Sequence, residues 1–212
     1  MRVVRYAGGW LAAALALTVL AGCGDDDGPA GPGSNSSGLG FTYDGARSGS
    51  YQSDGGAPTI GSDGLPEFGS WSVARPDSLG GLVIVGFQPT GSDKGDVFIL
   101  QLTETRTGVF EPCGIFAGGG CHGRFFVGVD LTQLASVEEA YEITDGRVVI
   151  TEITADRLKG TFEATFESQD GTRTIDVTAG VIDVPLSSDP FVGGGIACLA
   201  RNLEDGTNEP CQ

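Results

Sequence analysis

Downstream of Phe41 the chain alternates apolar and polar residues with period two, and turn-forming residues interrupt the pattern at roughly ten-residue intervals. GTFEATFES sets Phe162, Ala164 and Phe166 on one face and Thr161, Glu163, Thr165 and Glu167 on the other. RFFVGVDL likewise groups Phe125, Val127, Val129 and Leu131. Successive side chains of a strand point to opposite faces, so this alternation predicts half-buried strands. GGLVIVGF and DVFILQL are apolar on both faces, which predicts central strands joined through PTGSDKG. ITDGRVV and SQDGTRT each hold Asp-Gly between alternating runs and predict tight hairpins, where glycine supplies positive φ. In TIDVTAGVIDVPL the apolar set changes parity, from Ile175, Val177 and Ala179 to Ile182, Val184 and Leu186. Gly180 stands at the break and predicts a bulge or strong bend. The only helix expected is a turn or two around LTQLASVEEA, because glycine and β-branched residues dominate elsewhere. The fold class predicted for residues 41–212 is all-β. It is an antiparallel meander closing into a β-sandwich or barrel-like sandwich of about nine or ten strands.

The first residues obey a different pattern. Arg2 and Arg5 precede an apolar run from Ala7 to Val19. That run is shorter than the ~20 residues of a membrane span, and the charged start, short apolar core and small terminal residues predict a secretory signal. Its end, Leu20-Ala21-Gly22-Cys23, resembles the lipobox of bacterial lipoproteins. That resemblance implies a signal peptide over 1–22, diacylglyceryl transfer to the Cys23 thiol, cleavage before Cys23 and acylation of its amine. The mature chain would then hold 190 of the 212 residues. More than one acyl chain is what stable anchoring requires. Residues 23–40, GDDDGPAGPGSNSSGLG with the cysteine before them, are too polar and too rich in Gly, Pro and Ser to fold, and predict a flexible tether. Gly rather than Asp at position 24 resembles the outer-membrane sorting pattern of enterobacterial lipoproteins. The expected location is therefore the cell envelope, anchored by lipid, most simply in the outer membrane.

Composition narrows the partners. Loss of Arg2 and Arg5 leaves 10 basic residues against 28 acidic ones, a net charge of −18. Such a chain repels nucleic acid, so the partners expected are the membrane through the N-terminal lipid, and an envelope protein, a glycan or a small apolar ligand. Four cysteines remain besides Cys23, an even number in an exported chain, which predicts two disulfides. Of the three possible pairings the local ones, Cys113–Cys121 and Cys198–Cys211, are favoured, each stabilising the fold by about 2.5–3 kcal/mol through loop closure.

A search for chemistry returns little. Gly118, Gly120 and Gly123 form a G-x-G-x-x-G, but it leads into a strand rather than opening a helix, as a dinucleotide site requires. His122 is the only histidine and would have to serve as the base of any serine triad, or join Cys113 and Cys121 in a metal site. Glu138 with Glu139, or Glu163 with Glu167, are the carboxylate pairs that glycoside hydrolysis could use. Trp71, in EFGSWSVARP, is either a sugar-stacking platform or a core aromatic. No catalytic residue, cofactor or metal is assigned. From Glu138 onward, the run GTFEATF, DG and VTAGVIDVPL resembles the C-terminal half of β-rich Gram-negative lipoproteins of unknown function over about 50 residues. That resemblance brings no catalytic residues. The function expected is a non-catalytic, lipid-anchored envelope module for binding or surface assembly. The alternatives are a calycin-like carrier of a small apolar ligand, told apart by whether aromatics or a cavity fill the interior, and an envelope hydrolase using acidic residues.

Overall fold

The computed structural model describes residues 37–212 apart from 63, 78, 115–119, 134–135, 208 and 210–212, with backbone only at Phe191 and Glu204. Ten strands and one helix follow in order. They are β1 (Gly38–Gly45), β2 (Gly49–Asp54), β3 (Trp71–Pro76), β4 (Leu82–Pro89), β5 (Lys94–Leu102), β6 (Gly108–Phe110), β7 (Cys121–Asp130), β8 (Glu139–Ile153), β9 (Arg157–Ser168), β10 (Thr174–Pro185) and α1 (Pro190–Asp205). All pairs between these strands are antiparallel, in the order β2-β1-β10-β9-β8-β7-β5-β4-β3, with β6 added to β8. β1 begins at Gly38, with Leu39 buried, so the last three residues expected in the tether are strand.

The sheet curls until its edge strands meet. Gly56 N–H donates to Ser72 O (3.0 Å), Ser72 Oγ to Asp54 O (2.9 Å) and Asp54 N–H to Ser70 Oγ (2.9 Å). Gln52 N–H reaches Gln88 Oε1 on β4 (3.0 Å). The outer edge of β2 thus finds side-chain and isolated backbone partners instead of a full ladder, and the structure is a nearly closed barrel. An unpaired edge would otherwise be a template for aggregation. A second seam lies where β8 leaves β7 after Glu142 and takes β6 as its neighbour. Here the Cys113–Cys121 disulfide ties the β6–β7 connection to the start of β7, as the cysteine spacing anticipated. Cys113 N–H caps Gly146 O on β8 at 3.0 Å.

Aromatics fill the barrel. Phe41 stacks on Tyr51 at 4.8 Å and meets Phe98, Phe125 and Phe162 at 5.0, 5.4 and 5.6 Å. Around them pack Leu39, Ile84, Leu100, Ile143, Ile150, Phe166, Ile175 and Val184, all buried. The alternation of β9 is realised, with Phe162, Ala164 and Phe166 inward. The Gly180 prediction is also met. Pairing with β9 slips between Val177 and Gly180, which restores Ile182 and Val184 to the interior and leaves Ala179 exposed. A Cβ at Gly180 would lie 2.3 Å from the Phe162 ring. Gly180→Ala should therefore cost about 1–3 kcal/mol in denaturant unfolding, as overpacking does. Gly194→Ala, with nothing within 4 Å of its Cβ, should instead stabilise by about 0.5–1 kcal/mol.

Four sequence expectations are corrected. The described residues of LTQLASVEEA form a turn at Leu131 and Thr132, a bridge at Gln133 and the start of β8, while the helix lies at Pro190–Asp205. Val192, Ile196, Leu199 and Leu203 line one side of that helix and cover the outer face of β3, β4, β5 and β7. This is why β4 and β5 read as apolar on both faces. Leu82, Ile84, Phe98 and Leu100 point into the barrel, and Val85, Phe87, Val97 and Ile99 lie under the helix. They are not central strands. Third, ITDGRVV does not turn. Gly146 does not adopt a left-handed φ, β8 runs on through it, and a register shift between Ile143 and Asp145 absorbs the Asp-Gly as a bulge. Gly171, at φ +69°, does make the expected hairpin between β9 and β10. Fourth, Gly128 at φ +65° and a slip between Gly95 and Val97 split the RFFVGVDL set. Phe125 and Val127 stay inside while Phe126 and Val129 join the cluster beneath the helix.

Candidate functional site

With the interior packed, the recesses described lie on the outside of the barrel. β1 starts at one end of the barrel, and the β4–β5 and β9–β10 turns mark the other, referred to as the far end. A crevice of about 430 Å³ opens beside the helix at the far end. Three connections build it. Ahead of β3, a short ladder (Gly61 N–H to Leu65 O, 2.8 Å; Glu67 N–H to Thr59 O, 2.7 Å) presents Leu65, Pro66, Glu67 and Phe68. The β4–β5 turn, closed by Thr90 N–H to Lys94 O (2.9 Å), supplies Ser92 and Asp93. The chain leaving β7 supplies Leu131 and Thr132. Leu131 N–H bonds Asp93 O at 3.2 Å, and the Asp130 carboxylate accepts from both the N–H and the hydroxyl of Thr132. Those bonds hold Asp130 below the ordinary carboxylate range. Leu199 of α1 completes the wall. Phe68 is 45% exposed, with its ring edge-on to Phe87 at 5.6 Å.

A wider groove of about 650 Å³ runs over the outer face of β8, β9 and β10, between Glu111, Asp145, Arg147, Glu163 and Asp176. It is open and solvated. Arg147 pairs with Glu111 (3.3 Å), and Thr165 Oγ1 donates to Asp176 (2.6 Å).

The residues nominated from sequence are scattered over the barrel. Cys23 lies outside the described residues. Cys198 is on α1 and is disulfide-bonded, while Cys211 lies outside the described residues. Glu138 takes the Lys94 ammonium at 2.9 Å. Glu139 accepts the Tyr141 hydroxyl at 2.7 Å and the Arg173 guanidinium, with Arg47 at 3.6 Å. The Tyr141 hydrogen bond, followed by Arg173, holds Glu139 below its ordinary pKa against partial burial. Burial first, and Glu139 second, push Tyr141 up to about 12. These two glutamates are therefore tied into ion pairs closing the far end. Glu163 and Glu167 lie on the outer face of β9. His122 Nε2 and Gln101 Oε1 are 3.0 Å apart, and the Gln101 amide donates to Asp77. Gly118 lies outside the described residues, Gly120 leads into β7 and Gly123 lies within it, so no helix follows. Trp71 is no platform. It is 4% exposed beneath the helix, parallel to Phe87 at 6.1 Å. Among the described residues no three His, Cys, Asp or Glu side chains converge on a point that could hold a metal.

Among the described residues one carboxylate is buried. Asp96 on β5 is buried and accepts Gly128 N–H at 2.9 Å. Burial raises its pKa, with the Gly128 bond and Arg47 opposing and Glu138 adding to the rise. The folded state thus holds the Asp96 proton more tightly than the unfolded chain does. Its ionised form costs stability at neutral pH, and that cost fades as pH falls through the raised pKa. Asp96→Asn keeps the acceptor for Gly128 and removes the charge. The variant should melt above the parent at pH 7, and the gap should close as thermal scans are stepped down towards pH 4.

Sequence reading missed the crevice because its walls come from positions as far apart as Leu65, Asp93, Leu131 and Leu199. The usable signal was the apolar spacing of Val192, Ile196, Leu199 and Leu203, which the Gly193-Gly194-Gly195 triplet concealed. Compared with family models, with curated proteins and with solved structures, the chain matches none.

Proposed function

We propose that the protein is a non-catalytic, lipid-anchored module of the cell envelope that binds through its outer surface, with the far-end crevice as the binding recess. The observation that carries this reading is the aromatic filling of the barrel around Phe41. An interior carrier needs small side chains around a cavity, and here rings occupy that space while the recesses open outward. The glutamates a hydrolase would recruit at Glu138 and Glu139 are engaged with Lys94, Tyr141 and Arg173. The anchor is the acylated Cys23. The stretch from Cys23 to Gly38 reaches at most about 50 Å when extended, which keeps the barrel close to the membrane surface. No helix among the described residues is long and apolar enough to cross a membrane.

Cys23→Ser should abolish acylation and shift the protein from the membrane to the soluble fraction with the barrel's circular dichroism unchanged. A variant that still sediments with membranes would refute the anchor. Turnover of any substrate, lost on a single substitution in the barrel, would refute the non-catalytic reading.

A further inference from the structure

The crevice beside Phe68 combines two chemistries. Leu65, Leu131, Leu199 and Phe68 give it an apolar wall, and Glu67 and Asp93 give it two carboxylates. Among the described residues that line it none is basic. Lys94, the cation next in sequence to Asp93, commits its ammonium to Glu138 at 2.9 Å. Phe68 is also the exposed aromatic side chain among the described residues, available for a cation to rest against. A volume of about 430 Å³ suits a small molecule rather than a lone ion.

We propose that this crevice binds a small organic cation with an apolar body, an alkylammonium compound. Its chain packs on the leucines and Phe68, and its charge is met by Glu67 and Asp93. This rests on the reading of the protein as an outer-surface binder and goes beyond it by naming the ligand class. An anion of the same shape meets two carboxylates, of which Asp93 accepts only the Ser92 hydroxyl (3.2 Å) and feels the Lys94 charge from a distance, and a neutral isostere gains only the apolar contact. The protein's strong negative charge raises the local concentration of cations in the same sense.

The test titrates the membrane-extracted full chain with pentylammonium, pentan-1-ol and pentanoate, following backbone amide resonances. Pentylammonium should shift Gly61, Glu67, Phe68 and Thr132 saturably. It should bind at least about tenfold more tightly than pentanol, the ratio worth 1.4 kcal/mol, with pentanoate weaker still. Glu67→Gln with Asp93→Asn, both exposed positions whose loss leaves the thermal midpoint in place, should bring ammonium and alcohol level. Phe68→Ala should weaken both. Equal binding of ammonium and alcohol to the parent chain, shifts confined to another face, or a preference that survives in the double variant would each overturn the inference. Equal binding within the crevice would still leave outer-surface binding standing. The anchor is judged separately by the fractionation of Cys23→Ser.

Discussion

Phe41→Ala should be among the most destabilising single truncations in the barrel, lowering unfolding free energy by about 3–5 kcal/mol. Its ring touches Tyr51, Phe98, Phe125 and Phe162, and meets Tyr43 at 6.1 Å, so removing it strips contacts from strands on opposite sides of the barrel at once. Aromatic pairs contribute about 0.5–1.5 kcal/mol beyond their buried area, which places the loss towards the upper part of that range. In a domain of this size each kcal/mol moves the thermal midpoint by about 2–4 °C, so a fall of roughly 10 °C or more is expected. Glu163→Ala, on the solvated face of β9, should move it little. A Phe41→Ala midpoint within a degree or two of the parent would mean that the interior is not the packed core described.

Ile196→Asp should act on a different unit. Ile196 is 1% exposed, at the centre of the face that α1 lays on β3, β4, β5 and β7. An unpaired carboxylate there costs several kcal/mol, more than a terminal helix carrying three consecutive glycines can absorb. The barrel interior forms a separate cluster from the one beneath the helix. The helix should therefore detach while the strands remain. Trp71 lies beneath it and is the one tryptophan downstream of Cys23, so its emission should move to the red as the helical dichroism disappears. A dye for exposed apolar surface should bind. Ala197→Asp, one position along on the exposed side of α1, should do neither. Loss of the strand signal together with the helix would show that the two clusters unfold as one.

The parts of the fold legible in the sequence were those fixed by local alternation. β9 and the bulge at Gly180 follow from period two and from one parity break. The Cys113–Cys121 staple follows from the spacing of the two cysteines. What escaped depended on contacts between remote segments. Gly193 and Gly195 depress helix propensity, yet they lie where the helix meets its neighbours closely. A Cβ at Gly195 would lie 2.7 Å from the Ile60 side chain, and one at Gly193 3.0 Å from the Arg75 guanidinium, which also donates to Gly193 O. Close packing outweighed propensity there. The same holds for Asp145-Gly146, which has hairpin composition but is held straight between β9 and the Cys113 N–H. The crevice was less legible again, because no local pattern connects Phe68 with Leu199.

Whether the barrel is tied to the membrane by its own N-terminus is read from the intact mass of the membrane-extracted protein, denatured and not reduced. The expected mass is that of a chain running from Cys23 to Gln212, heavier by the acyl groups on Cys23 and lighter by the hydrogens of two disulfides. A mass matching an unmodified Cys23, or a chain that still carries residues 1–22, would contradict it.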